Sequence, residues 1–321
     1  MPPIDVNPRY DWTTGEIEAL LKLPLLELVS QAHDVSRANT DSRGVQLASL
    51  MNIKTGGCAE DCSYCSQSAH HEALDVSRTP LSRVGEVEAA AKQAKELGTV
   101  RFCMGAAWRE VTDGPDFEAV LEMVRAVRAL DMEPCVTLGM LKPHQAKALK
   151  AAGLQSYNHN IDTSPEYYGQ IITTRTLEDR LETLSIVRAE GIDLCTGVII
   201  GLGESLTDRA SALGVLACMS PHPESVPINA LVAIEGTPLE DQESLPALDF
   251  VRMIATARIV MPRSRIRLAA GRQRLSPEAQ ALCFLAGANS IFYGERLLTT
   301  PNAEPDQDQR LLAELGVGLP A

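Results

Sequence analysis

From about residue 45 onward the chain alternates short β-rich runs with longer helical patterns, eight times over. The runs are Leu50 to Lys54, Thr99 to Met104, Glu133 to Leu138, Leu154 to His159, Ile192 to Ile200, Val226 to Val232, Arg265 to Ala269 and Ser290 to Tyr293. Between them apolar residues recur at helical spacing. In Val84 to Leu97 the residues Val87, Ala90, Ala91 and Ala94 recur this way, and similar patterns run through Phe117 to Leu130, Pro143 to Ala152, Leu177 to Glu190, Thr207 to Ala217, Phe250 to Val260 and Pro277 to Ala286. Glycine follows the helical pattern at Gly98, Gly153, Gly191 and Gly287, the usual stop signal. Eight β/α units in succession predict a closed (β/α)8 barrel, with a doubly wound open sheet as the alternative. The expected division is a helical extension over residues 1–44, the barrel over 45–298 and a tail over 299–321. In the extension, Thr13 and Glu16 form a capping-box pair ahead of Ile17, Leu20 and Leu21, and a second helical period follows Pro24.

Composition narrows the class of partner. The 321 residues are 45% hydrophobic and 22% charged, the profile of a packed globule. With 42 acidic against 29 basic residues the net charge is -13, which argues against nucleic acid or anionic lipid as a partner. The start, Met1 to Asn7, has neither a basic segment nor an apolar run, so no secretory signal or membrane segment is expected and a cytoplasmic location follows. In a reducing compartment cysteines persist as thiols, and clustered ones read as metal ligands rather than as disulfides.

Such a cluster follows the first strand: Cys58, Cys62 and Cys65 in the spacing C-x3-C-x2-C. Three thiolates packed this closely repel one another, and a metal centre is the usual compensation. A structural zinc needs a fourth ligand, for which His70 and His71 lie close enough in sequence to stand as a minor alternative. A cubic 4Fe–4S cluster suits the spacing better, because a loop with three cysteines leaves one iron with an open position. The spacing, with the aromatic Tyr64 just before Cys65, resembles the radical S-adenosylmethionine (SAM) superfamily. That resemblance implies that SAM chelates the fourth iron and is cleaved reductively to a 5'-deoxyadenosyl radical. The run Gly197-Val198-Ile199-Ile200-Gly201-Leu202-Gly203-Glu204 is similar to the superfamily's G-x-I-x-G-x-x-E pattern, which implies that Gly197, Ile199 and Gly201 lie beside the adenine.

Three further cysteines fall on separate strands: Cys103 on the second, Cys135 on the third and Cys195 on the fifth. Singly, each reads as a buried small hydrophobe. Together, on strands whose alternate side chains enter a barrel lumen, they are placed to build a second iron–sulfur centre. On the seventh strand Arg265 and Arg267 share a face by period-two alternation, and an inward guanidinium requires an anion. Guanidinium normally has no lone pair for a metal, so the residues alone make it a charge partner of such a cluster. Cys218 and Cys283 lie on helical patterns and read as core.

Long strings then narrow the resemblance. Arg101 to Trp108, Tyr157 to Pro165, Ile171 to Thr176, Ser225 to Asn229 and Ala286 to Gly294 are similar to the biotin synthase family, over about residues 45 to 303. The resemblance implies a radical SAM sulfurtransferase that inserts sulfur between C6 and C9 of dethiobiotin, the last step of biotin biosynthesis. It implies that Cys58, Cys62 and Cys65 hold the 4Fe–4S cluster, and that Cys103, Cys135, Cys195 and Arg267 hold a 2Fe–2S cluster supplying the sulfur. It further implies that Asn160, Asp162 and Arg180 contact SAM, and that Asn158, Asn229 and Thr299 contact substrate. A cyclic urea offers one carbonyl and two N–H groups, which carboxamides match. As a helix residue near Glu178 and Asp179, Arg180 reads equally as a member of a surface ion pair, and Lys54 and Thr300 are weaker candidates. No side chain is expected as catalytic acid or base, since radical hydrogen abstraction needs none, and His159 reads as a structural hydrogen-bonder. The family also implies a homodimer, an electron donor such as flavodoxin or ferredoxin, and reliance on iron–sulfur assembly machinery. Ser66 stands where the family commonly has proline, and Thr196 and Val198 depart from its usual Cys-Ser-Gly-Gly. Two other readings share the cysteine loop: an iron–sulfur scaffold without catalysis, and a maturase acting on another cofactor.

Overall fold

A computed structural model describes residues 7–40, 44–71, 76–294, 297, 302 and 305–317. Its strands are β1 (Gln46–Lys54), β2 (Arg101–Ala106), β3 (Glu133–Thr137), β4 (Ser156–Asn158), β5 (Asp193–Cys195), β6 (Val198–Ile200), β7 (Ser225–Ala230), β8 (Arg265–Leu268) and β9 (Ser290–Phe292). All pair in parallel, in the order β5-β4-β3-β2-β1-β9-β8-β7-β6. A further pairing of Cys195 with Ser225 joins β5 to β7 and closes the ring. The expected (β/α)8 barrel is therefore present, and the open sheet is excluded.

β5 and β6 are two halves of one stave, where the sequence pattern predicts a single strand from Ile192 to Ile200. The break at Thr196-Gly197 lies opposite Pro227 of β7, which has no N–H to continue the ladder. The Gly197 N–H is taken instead by the Asn160 side chain at 3.2 Å. A β-carbon at Gly197 would stand 1.9 Å from the Pro227 carbonyl oxygen, so only glycine fits the close approach.

The helices on the outer face are α3 (Val84–Glu96), α4 (Pro115–Ala129), α5 (Pro143–Ala151), α6 (Pro165–Ile171), α7 (Leu177–Ala189), α8 (Leu206–Ala217), α9 (Ala247–Val260) and α10 (Pro277–Leu285). Ahead of them α1 (Thr14–Leu21) packs on α8, and α2 (Leu25–Asn39) packs on α9, burying Ile17, Leu21, Leu28, Ala32 and Val35. The capping box read from Thr13 and Glu16 is formed. α6 has no counterpart among the predicted helices, although Ser164 caps it and Pro165 occupies its first turn. After the barrel, α11 (Pro305–Glu314) is fastened by a bidentate pair in which Arg272 Nη1 and Nη2 lie 2.7 and 2.5 Å from the Asp308 carboxylate. Among the described residues no helix is long and apolar enough to cross a membrane.

Candidate active site

The loop after β1 turns at Gly56 and Gly57, both at φ +71°, and then folds back on itself. Cys58 N–H donates to Gln67 O at 2.9 Å, Ala69 N–H to Cys58 O at 2.7 Å and Cys65 N–H to Cys62 O at 2.9 Å. This brings the three cysteines to the wall of one cavity at the C-terminal mouth of the barrel. Burial pushes the Cys62 thiol up to about 12 and Cys65 up to about 11, and also raises Cys58. Thiolates here need a bound cation to form, which suits soft sulfur ligands awaiting a metal centre. The zinc alternative loses its fourth ligand. His70 Nε2 lies 3.0 Å from Ala59 O and His71 Nε2 lies 3.0 Å from Cys62 O. Among the described residues no three His, Cys, Asp or Glu side chains stand close enough to hold a single metal ion.

Deeper in the lumen the second cysteine set converges. Cys103 is beside Cys135 in register, and Cys103, Cys135, Cys195 and Ala48 form one buried cluster. The hydrogen bond with Cys135, together with the Arg267 and Arg101 guanidiniums, draws Cys195 and Cys103 below the ordinary thiol range, while Cys135 is raised. Arg267 is fully buried, and among the described residues it has no carboxylate partner. Its Nε donates to Ser290 Oγ at 2.9 Å, Nη2 to Gln46 Oε1 at 3.3 Å, and Nη1 lies 3.9 Å from Cys195 Sγ. The guanidinium also stands 4.7 Å over the Phe292 ring. Below this layer Arg101 Nε meets Glu133 at 2.9 Å, while Arg101 Nη1 and the hydroxyls of Ser156 and Ser225 are buried without hydrogen-bond partners. Buried orphan donors and an uncompensated cation fit an anionic, sulfur-rich group in the lumen. Period-two reading back from Cys103 would have found Arg101, which the sequence reading left without a role.

The exit of β4 supplies the polar wall. Asn158, Asn160 and Asp162 all line the cavity, as their alternation predicts. Asn158 accepts from Thr137 Oγ1 at 3.0 Å and donates to Cys195 O at 3.1 Å, and Asn229 bridges Val198 O and Ala270 N–H at 3.0 and 3.2 Å. Asp162, at φ +67°, is pinned by Arg180 Nη2 at 2.5 Å and accepts from the Tyr64 hydroxyl at 2.8 Å. Arg180 is 3% exposed, so the surface ion pair with Glu178 or Asp179 is excluded. Its Nε donates to Tyr168 Oη at 2.6 Å and its Nη1 to Asn160 O at 2.5 Å. Ile199 lines the cavity. Gly197 is explained by its contact with Pro227, and Gly201, at φ +88°, by a turn whose N–H groups Glu204 accepts. Lys54 reaches Gly56 O at 3.1 Å. His159 is buried and held neutral chiefly by desolvation, and its Nε2 lacks a hydrogen-bond partner. Thr299 and Thr300 lie outside the described residues. Tyr64, read from the sequence only as the aromatic of the cysteine motif, and Arg175, which no local pattern distinguishes from a surface residue, also line the cavity.

The cavity holds about 330 Å³ and is lined by all six cysteines of both sets, which suits small molecules lying between two depths of one barrel. Such a barrel with a C-x3-C-x2-C loop at its mouth defines a radical SAM enzyme. Residues 52–215 match the model described as "Radical SAM superfamily", and residues 227–318 match "Biotin and Thiamin Synthesis associated domain". A curated biotin synthase from Rhizobium rhizogenes is 62% identical over 308 residues, covering 96% of this chain and 94% of that one. One from Ruegeria pomeroyi is 60% identical over 308 residues, covering 96% and 97%. The chain belongs to the biotin synthase family, and through the superfamily it uses a 4Fe–4S cluster and SAM. Among solved structures, methylornithine synthase superposes with a TM-score of 0.80 at 19% identity, covering 97% of this chain and 95% of that one. The hydrogenase maturase HydG from Carboxydothermus hydrogenoformans gives 0.77 at 19% identity, covering 94% and 75%. These two bear on the fold alone.

Proposed function

We propose that the chain inserts sulfur between C6 and C9 of dethiobiotin to form biotin. The observation that carries this reading is the placement of two cysteine sets on one cavity, one at its mouth and one in its depth. In this reading Cys58, Cys62 and Cys65 hold the 4Fe–4S cluster, and Cys103, Cys135, Cys195 and Arg267 hold a 2Fe–2S cluster. The first cluster, with SAM, supplies a 5'-deoxyadenosyl radical, and the second supplies sulfur. The chain's own part is to bind, orient and exclude water. Asn160, Asp162 and Arg180 form the SAM wall, together with the strand carrying Gly197, Ile199 and Gly201. Since Arg180 is already joined to Asp162, the pair acts as one polar unit. Asn158 and Asn229 face the ureido ring, each held by backbone contacts that fix its amide orientation. Thr299 is retained for the substrate tail. Arg267 neutralises charge beside Cys195, and the apolar lining from Leu50, Ile199, Leu231 and Phe292 keeps water from the reacting carbons.

The burial of the lumen set supports this reading over a scaffold, which must expose its cluster to a recipient. Residues 1–44, 45–298 and 299–321 are kept as extension, barrel and tail. A cytoplasmic homodimer, a flavodoxin or ferredoxin as electron donor, and rebuilding by iron–sulfur assembly machinery complete the proposal and rest on the family. The test is anaerobic reconstitution with iron, sulfide, SAM and reductant, followed by assay of 5'-deoxyadenosine and biotin from dethiobiotin. Both products are expected; a fully loaded protein that makes neither refutes the reading.

A further inference from the structure

The cysteines of the mouth loop turn toward the cavity, and three of the residues between them are fastened to a single distant segment. Asp61 is the centre of this contact. Its carboxylate accepts from Thr173 N–H at 2.9 Å, from Thr174 N–H at 3.2 Å and from Thr173 Oγ1, and its own N–H donates to Thr174 Oγ1 at 3.2 Å. On one side Glu60 accepts from Thr174 Oγ1 and lies 3.6 Å from Arg175. On the other, Ser63 donates through both N–H and Oγ to Ile171 O at 3.0 Å. The receiving segment, Ile171 to Arg175, connects α6 to α7 and is fixed at both ends. Ile172 N–H bonds back to Tyr168 O, and Thr176 and Asp179 form the capping box that opens α7. The segment is therefore a rigid seat, and the loop lies on it.

We propose that Asp61 is a positioning residue that, through Thr173 and Thr174, sets the spacing of Cys58, Cys62 and Cys65. This rests on the reading that those cysteines hold the 4Fe–4S cluster. A loop with three ligands in eight residues has little regular structure of its own, and metal ligands need support from neighbours that hold their backbone. A carboxylate accepting from three donors of one anchored segment supplies that support from outside, without touching the iron.

The test loads wild type, Asp61→Ala, the pair Thr173→Val with Thr174→Val, and the pair Thr173→Ser with Thr174→Ser. It follows loss of the 4Fe–4S absorbance under an iron chelator and the electron paramagnetic resonance signal of the reduced cluster with SAM. Asp61→Ala and the valine pair should each release iron about tenfold faster, as loss of hydrogen bonds to a charged group implies, and broaden the resonance. The serine pair, which keeps both hydroxyls, should match wild type. Should Asp61→Ala fail to fold, the contrast between the valine and serine pairs decides the matter. Wild-type release rates and spectra in Asp61→Ala and the valine pair overturn the proposal. A Cys58→Ala protein that loads and releases the same cluster as wild type overturns the underlying ligand assignment, and the proposal with it.

Discussion

Replacing Asp308 by alanine removes the carboxylate that holds α11 to the barrel. The pair it forms with Arg272 is buried on both sides, with side-chain exposures of 1% and 3%, and is bidentate. Arg272 also donates to Gln280 Oε1 at 3.2 Å and Phe292 O at 2.8 Å, so the variant leaves a guanidinium with two neutral acceptors and no counter-charge. Breaking a buried pair by removing one partner costs about 3–5 kcal/mol, because the remaining charge stays desolvated. For 321 residues, at about 2.1 cal/mol/K of unfolding entropy per residue, this corresponds to roughly 4–7 °C in Tm. The assay is calorimetry together with hydrogen exchange of the α11 amides, which should lose protection first. A double variant, Arg272→Met with Asp308→Leu, should recover most of the loss, since an apolar pair of similar volume carries no desolvation penalty. A loss below about 1 kcal/mol in Asp308→Ala, or a double variant no better than the single one, refutes the claim that this charge pair fastens α11. The consequence extends to the cavity, because Arg272 also grips the carbonyl of Phe292, whose side chain lines the lumen.

Three other outcomes are expected. Cys135→Ser should abolish the absorbance of the lumen cluster while sparing the mouth cluster, and Cys62→Ser the reverse; loss of both signals in either variant contradicts two separate sites. Gly197→Ala, which places a β-carbon 1.9 Å from the Pro227 oxygen, should destabilise the fold by about 3 kcal/mol in urea titration, and a neutral result rejects the close-approach argument. Burial, the largest influence on His222, lowers its pKa, and its Nε2 lies 3.0 Å from Arg9 O and 2.9 Å from Ala217 O. The unfolded chain then takes up a proton near pH 6.5 that the folded chain resists, so stability is full above about pH 6.5 and falls as the pH drops below it. His222→Gln should flatten urea midpoints between pH 8 and 5, and parallel curves for the two proteins disprove the linkage.

Much of the architecture was legible in the chain because barrel staves and their helices carry periodicities of two and 3.6 that any local window contains. The alternation placed all eight staves and put Asn158, Asn160 and Asp162 on one wall. It failed where the deciding partner was remote. Ile192 to Ile200 reads as one strand, and only the proline on a neighbouring stave, with Asn160 capturing the Gly197 amide, breaks it in two. α6 was missed although its cap and proline stood in plain sight, since seven residues give too little periodicity to register.

By itself the sequence determined the barrel, the three-cysteine loop and the residues by which the family is known, all of which are written in local spacing. Tertiary structure alone decided which groups meet. Its own helix leaves Arg180 open between a site contact and a surface ion pair, and only the fold turns it inward onto Asp162. Tyr64 becomes a link between loop and β4 exit only when the fold brings its hydroxyl to that same carboxylate, 98 positions further along the chain. Cys103, Cys135 and Cys195 gather with Arg267 only because closure of the ring aims alternate side chains of separate staves at one axis. Such meetings depend on register and closure, which no stretch of sequence holds on its own.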